Sequence, residues 1–174
     1  VFLRIIRSAA VLCALTAVPA AAQQGAAETT RTTQGDWTVV CAKAGRPCIM
    51  EQVGKTSQGE NALSMQIERL PEPTRMGAET VEFVANFLTP LGVLVQEGLE
   101  LRIDGGEPQR SPYFLCQQNG CVVRAPLTKA LVDAFRRGRQ AAFAFGIVQN
   151  GKAGKVAATV SLTGFTRALE ATKG

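Results

Sequence analysis

Histidine is absent from all 174 residues. That removes Ser–His and Cys–His nucleophilic dyads and every histidine-ligated metal site. The chain has no P-loop, no dinucleotide fingerprint and no EF-hand loop. Cys-x-x-Cys is missing, so a thioredoxin-like redox site is not expected. No apolar run after the first 22 residues is long enough to span a bilayer, which takes about 20 residues. Charge of one sign is also scarce. The net +5 falls to about +3 without Arg4 and Arg7. That excess is too small for nucleic acid, which needs clustered Lys and Arg on one face.

The first segment reads as a signal peptide over residues 1–22. Arg4 and Arg7 form a positive start, Ala9 to Val18 a short apolar core, and Ala20-Ala21-Ala22 a small-residue cleavage site. Leu12 is too bulky for Cys13 to serve as a lipidation site. Residues 23–34 are small and polar and read as a flexible lead-in. The domain is expected over 35–174, with export to the periplasm, or to the face of the outer membrane.

Without Cys13 the cysteines are Cys41, Cys48, Cys116 and Cys121. An even set in an exported chain implies two disulfides. The gap between Cys41 and Cys48 is too wide for structural zinc ligand pairs. Three pairings are open. Hairpin geometry favours the local ones, Cys41–Cys48 and Cys116–Cys121. Each such small loop gains roughly 2 kcal/mol by chain entropy, and crossed loops would gain more. The local pairing therefore rests on geometry. Asn119-Gly120 is a type I′ turn signal between Cys116 and Cys121. Ala44-Gly45-Arg46-Pro47 is a turn between Cys41 and Cys48.

Alternation marks the strands. Trp37, Val39 and Cys41 share one face, and Cys48 to Val53 returns. Trp37 reads as a core residue beside a disulfide. Leu63, Met65 and Ile67 form a third run, which Pro71 is expected to end. Val81, Phe83, Ala85 and Phe87 follow, then Leu99, Leu101 and Ile103. Asp104-Gly105-Gly106 should turn that strand onto the Tyr113-Phe114-Leu115 run. Leu127, Leu131 and Phe135 recur at helical spacing, with Arg136, Arg137 and Gly138 suited to the helix end. Two long strands close the chain, carrying Phe143 and Phe145 in one and Ala158 and Val160 in the other, and Phe165 begins a short tail. Many short strands with one short helix predict a mainly β fold, an antiparallel β-sandwich.

Four groups of residues then carry a family resemblance. They are Gly35-Asp36-Trp37 with Cys41 and Cys48; Pro90-Leu91-Gly92-Val93 with Gly98 and Ile103-Asp104-Gly105; Cys116 with Gly120-Cys121; and Val160-Ser161-Leu162-Thr163-Gly164-Phe165. In order and spacing the chain resembles the invasion associated locus B family of exported bacterial proteins. The resemblance implies an immunoglobulin-like sandwich in the periplasm or at the outer membrane. It supplies no catalytic residues and no cofactor.

The function expected is a non-catalytic binding or envelope-interaction module with a protein or envelope partner. The alternatives are a structural or chaperone-like periplasmic factor, and a hydrolase built on carboxylates. Glu97, Glu100, Asp104 and Glu107 lie close in sequence, but nothing marks them as desolvated, and the reading preferred for them is a solvated strand edge. Two stretches are long for hairpin loops, Gly54 to Asn61 and Pro71 to Glu79. The second holds Arg75 and Met76, residue types enriched at interfaces, and is the candidate partner loop.

Overall fold

Strand alternation becomes one antiparallel sheet because each strand has a single apolar face to bury. The computed structural model describes residues 29–43 and 47–173. The expected signal peptide, Cys13 and the turn at 44–46 lie outside them. The order is β1 Thr29–Gln34, β2 Trp37–Ala42, β3 Cys48–Lys55, β4 Asn61–Met76 and β5 Glu79–Thr89. A 3-10 turn at Val95–Glu97 precedes β6 Leu99–Ile103, β7 Gln109–Ser111, β8 Leu115–Gln117 and β9 Gly120–Leu127. Helix α1 is Lys129–Arg137, followed by β10 Gln140–Gln149, β11 Lys152–Ser161 and α2 Phe165–Ala171.

The sheet runs β7-β6-β10-β11-β3-β4-β5-β9-β8, with β2 also on β3 and β1 on β2. It is one hydrogen-bonded sheet curled on itself, where two separate sheets were expected. The join is narrow. β3 pairs with β2 from Cys48 to Glu51 and meets β11 only at Lys55↔Thr159. Between these points the Gln52 carboxamide replaces the backbone ladder. Its Nε2 donates to the Ser161 carbonyl at 3.0 Å, and its Oε1 accepts from the Ser161 N–H at 2.8 Å. The two arms face each other across the core, where Phe87 of β5 meets Phe143 of β10 at a ring separation of 5.1 Å.

The alternating faces read from sequence are the buried ones. Trp37, Met50, Met65, Ile67, Phe87, Phe143 and Phe145 all lie inside. Both local disulfides are present, and each joins residues directly opposite in register.

Several details differ from the sequence reading. Residues Thr29–Gln34, expected as flexible lead-in, form β1 and pair with β2 along their full length. The strand is polar on both faces, so no apolar alternation betrays it; its threonines favour extended backbone. Pro71 does not end β4. The register shifts between Arg69 and Thr74, and β4 has left β3 by then, so the missing proline N–H costs no ladder bond. The expected loop Pro71 to Glu79 is therefore mostly strand, with Met76↔Glu79 closing its tip. β6 pairs with Gln109–Ser111, not with the Tyr113-Phe114-Leu115 run, and Leu115 pairs with Val122. Register also places the β8–β9 turn at Gln118-Asn119, since Gln117 pairs with Gly120. Gly120 is needed for approach: a Cβ there would collide with the Thr89 carbonyl of β5.

The expected helix forms, and the tail beginning at Phe165, a helix candidate in sequence, forms a second. Helix α1 is capped at Thr128, whose Oγ1 accepts from the Leu131 N–H at 3.2 Å. Gly138 ends it in extended conformation, and its close approach favours glycine, since a Cβ would lie 2.7 Å from Ile103 Cγ2. The tail forms α2, whose Phe165 is buried against Trp37 and Phe135 at ring separations of 5.5 and 5.2 Å.

Gly35 and Gly164 sit back to back. Both have positive φ, +64° and +86°, and a Cβ on either would stand 2.9 Å from the other's Cα. Gly164→Ala is expected to lower stability by about 2 kcal/mol or more, from left-handed strain plus collision with the Gln34 carbonyl. Gly154→Ala, which meets nothing within 4 Å at ordinary φ, should change stability by less than about 1 kcal/mol. Denaturant midpoints at constant m-value measure the difference. Replacing the Cys41–Cys48 pair with serines should cost about 2–5 kcal/mol on the same assay. Peptide mapping without reduction should recover only the two local links.

Candidate binding groove

The four carboxylates of the catalytic alternative do not form a common site. Glu100 accepts from Arg102 at 2.9 Å and Arg110 at 3.0 Å. The Arg110 guanidinium, then Arg102, holds its carboxyl below the ordinary range. Asp104 accepts from the backbone N–H groups of Gln140, at 3.0 Å, and Arg139, at 3.1 Å. These bonds lower its pKa, and Asp104 itself has φ +48° in the turn after β6. It fastens that turn to the start of β10. Glu100 lies within β6 and Asp104 in the turn beyond it, each held by its own partners. Both groups stay ionised and already partnered, so neither is poised as an acid. Glu107 is exposed on the β6–β7 connection. Glu97 lies against Gly146 of β10.

Among the described residues, no group of three or more His, Cys, Asp or Glu could hold a metal ion. All four cysteines among them are in disulfides.

A concave site does exist where α1 crosses the outer part of β5. The groove has a volume of about 310 Å³. Phe83, Leu127 and Val132 give it apolar walls, and Thr80, Glu82, Lys129, Asp133 and Arg136 complete its lining. Chain geometry explains the mixture. Val132 and Phe135 turn inward on α1, while Lys129, Asp133 and Arg136 recur on its outer side at spacings of four and three. Lys129 pairs with Asp133, holding that carboxyl below its ordinary pKa. Arg136 lies 3.7 Å from Asp133 and 3.5 Å from Glu170 of α2. On the sheet side, Arg69 bonds Glu82 at 3.1 Å and stacks 4.3 Å above the Phe83 ring.

These pairs are partly exposed and individually weak. A ligand can exchange them for its own charges at little cost. An apolar pocket bounded by exchangeable ion pairs suits recognition of an amphipathic surface.

Arg75 and Met76 are not groove-lining residues. Register places them opposite Thr80 and Glu79, at the tip of the hairpin that forms one wall. Met76 is 45% exposed. The other long loop, Gly54 to Asn61, is shorter than expected, because β3 runs to Lys55 and Thr56 Oγ1 accepts from the N–H groups of Gln58 and Glu60. It takes no part in the groove. Sequence reading missed Lys129 and Asp133, and took Arg136 only as a helix-end charge. The Lys129–Asp133 spacing of four was the available signal.

Because the Asp104 pKa is lowered on folding, its contribution is present above the ordinary carboxylate range and is lost as pH falls through the folded value. Asp104→Asn is therefore expected to flatten the acid limb of the stability curve below about pH 4, leaving its slope near pH 7 unchanged. Denaturant midpoints across pH check this.

The family model described as invasion associated locus B (IalB) protein matches residues 37–173. No curated protein shows a significant match. Among solved structures, the crystal structure of invasion associated protein B from Bartonella henselae is similar at a TM-score of 0.65 and 25% identity. The alignment covers 83% of this chain and 96% of that one. The sequence motifs, the curled disulfide-stapled sheet and this match agree: the chain belongs to the invasion associated locus B family.

Proposed function

We propose that this chain is an exported, non-catalytic binding module of the bacterial envelope. Its contact surface is the groove between α1 and the β4–β5 hairpin, with Arg75 and Met76 at the rim. The observation that carries this reading is the groove's chemistry, apolar walls among charges already paired with each other. The partner it suits is a protein segment with an apolar anchor and flanking charges.

The compartment reading rests on two disulfides and on the signal pattern of residues 1–22. No described helix is long and apolar enough to cross a membrane. The periplasm, with contact to the outer membrane, is the location these features support. The finer architecture is an immunoglobulin-like sandwich. The narrow β3–β11 seam, with Phe87 and Phe143 meeting across the core, supports it. The name of the Bartonella relative refers to invasion; the groove itself requires only a protein partner.

A photo-crosslinker at Thr80 tests the reading. It should capture an envelope protein, and Lys129→Glu with Arg136→Glu should reduce capture about tenfold or more, the loss of roughly 1.4 kcal/mol of binding. Arg75→Ala with Met76→Ala should weaken it to a smaller degree. Capture unchanged by both double variants would remove the groove from consideration. Robust turnover in a hydrolase-substrate screen, abolished by Glu100→Gln or Asp104→Asn, would overturn the non-catalytic assignment.

A further inference from the structure

Exposed large hydrophobic residues are unevenly placed on this molecule. Leu91, Val95, Phe114, Leu115 and Val148 are 54, 48, 68, 36 and 42% exposed. Backbone pairing draws the segments that carry them to one end of the sheet. Thr89 at the end of β5 pairs with Cys121, which pairs with Cys116 of β8. The Val148 N–H donates to the Gly92 carbonyl at 2.8 Å, and the Leu94 N–H to the Gly146 carbonyl at 2.9 Å. The Phe114 N–H donates to the Val122 carbonyl at 2.7 Å. Met76, by contrast, lies at the far tip of β4. Nine residues of β5 separate Thr80 at the groove from Thr89 at this pole, roughly 30 Å.

The same pole is stripped of charge. Residues 86–96, 111–123 and 140–151 contain no Asp, Glu, Lys or Arg. Sheet edges are normally guarded by charge, and β8 is an edge with none. The next charged residues on the β10–β11 hairpin are Lys152 and Lys155. The nearest acid, Glu97, is turned against Gly146 and borders a surface dimple with Arg110 and Lys155. Lys55 and Glu60 flank the neighbouring β3–β4 turn.

We infer that this pole docks on a bilayer surface bearing anionic headgroups. Apolar side chains on several adjoining segments, flanked by lysines, match an interface that accepts shallow apolar insertion and attracts positive charge. The charge pattern selects this occupant. A second copy would bring Lys152 and Lys155 against their own equivalents. Strand addition would have only the three residues of β8 to pair with. Docking here leaves the groove roughly 30 Å along β5 from the membrane face, and the inference does not depend on the groove binding anything.

The test uses the full chain in a Cys13→Ser background, with an environment-sensitive fluorophore at Leu91→Cys or, as control, at Met76→Cys. Vesicles of phosphatidylethanolamine with phosphatidylglycerol should blue-shift the Leu91 label and leave the Met76 label unchanged. Phosphatidylcholine vesicles should give little response. Phe114→Ser with Val148→Ser should weaken the vesicle affinity roughly tenfold or more. Lys152→Glu with Lys155→Glu should weaken it and reduce its salt dependence. These substitutions are at exposed positions, so the fold is retained. The site-specific label separates this pole from any membrane binding by residues 1–22. No shift at Leu91, an equal shift at Met76, an equal response to phosphatidylcholine, or a response that survives Phe114→Ser with Val148→Ser would each overturn the assignment.

Discussion

The structure depends on a contact that only two glycines can make. Gly35 turns β1 into β2, Gly164 starts α2, and their Cα atoms pack without intervening side chains. The adjacent Asp36 N–H donates to the Thr163 carbonyl at 3.1 Å. This lock lets Trp37 enter the core beside Phe165, and Phe165 in turn reaches Phe135 of α1. The first hairpin, the last helix and the middle helix are thereby joined through three aromatic rings. Straining the glycine contact would loosen the packing of all three, because each ring's packing partner lies on another element.

The second constraint is the seam between β3 and β11. A sheet this wide must curl to bury one face, and curling pulls neighbouring strands apart at the tightest bend. Here the backbone ladder gives way to the Gln52 side chain, which satisfies both Ser161 backbone groups. An unsatisfied pair of half-buried backbone groups would cost about 1–3 kcal/mol each. The carboxamide is suited to this because it carries a donor and an acceptor side by side, as a peptide group does.

Most of the fold was legible because burial follows alternation. The faces Leu63-Met65-Ile67 and Val81-Phe83-Ala85-Phe87 are inside as read. Legibility failed where pairing, not burial, decides structure. β1 has no apolar face, so only its partner β2 reveals it. Pro71 reads as a strand end, yet β4 has already left its neighbour β3 there. Asn119-Gly120 names the right hairpin and the wrong turn positions, because Gly120 answers to the Thr89 carbonyl of another strand. The groove failed for the same reason. Its walls come from β5 and α1, more than 40 residues apart, so no local spacing could assemble it. Arg75 and Met76 are not part of its lining; a local reading reached only the hairpin tip, where they pair with Thr80 and Glu79.

The groove's two walls differ in how firmly they are held, and this bears on what it can recognise. The α1 wall is fixed by Val132 and Phe135, which are buried in the core. The hairpin wall is not fixed to the same degree. Beyond Glu68, β4 pairs only with β5, and residues 71–80 are all exposed. Few buried apolar contacts and a single ladder place that segment at the low-stability end of the molecule. Its movement is limited from below, since Val81 and Phe83 are buried and Arg69 clamps Phe83 and Glu82. The hairpin tip can therefore adjust the width of the groove while the apolar floor stays in place. A catalytic site loses rate with misplacement of about 1 Å. The groove proposed as a contact surface would tolerate such variation, because its apolar residues Phe83, Leu127 and Val132 are held in the core whatever the hairpin tip does.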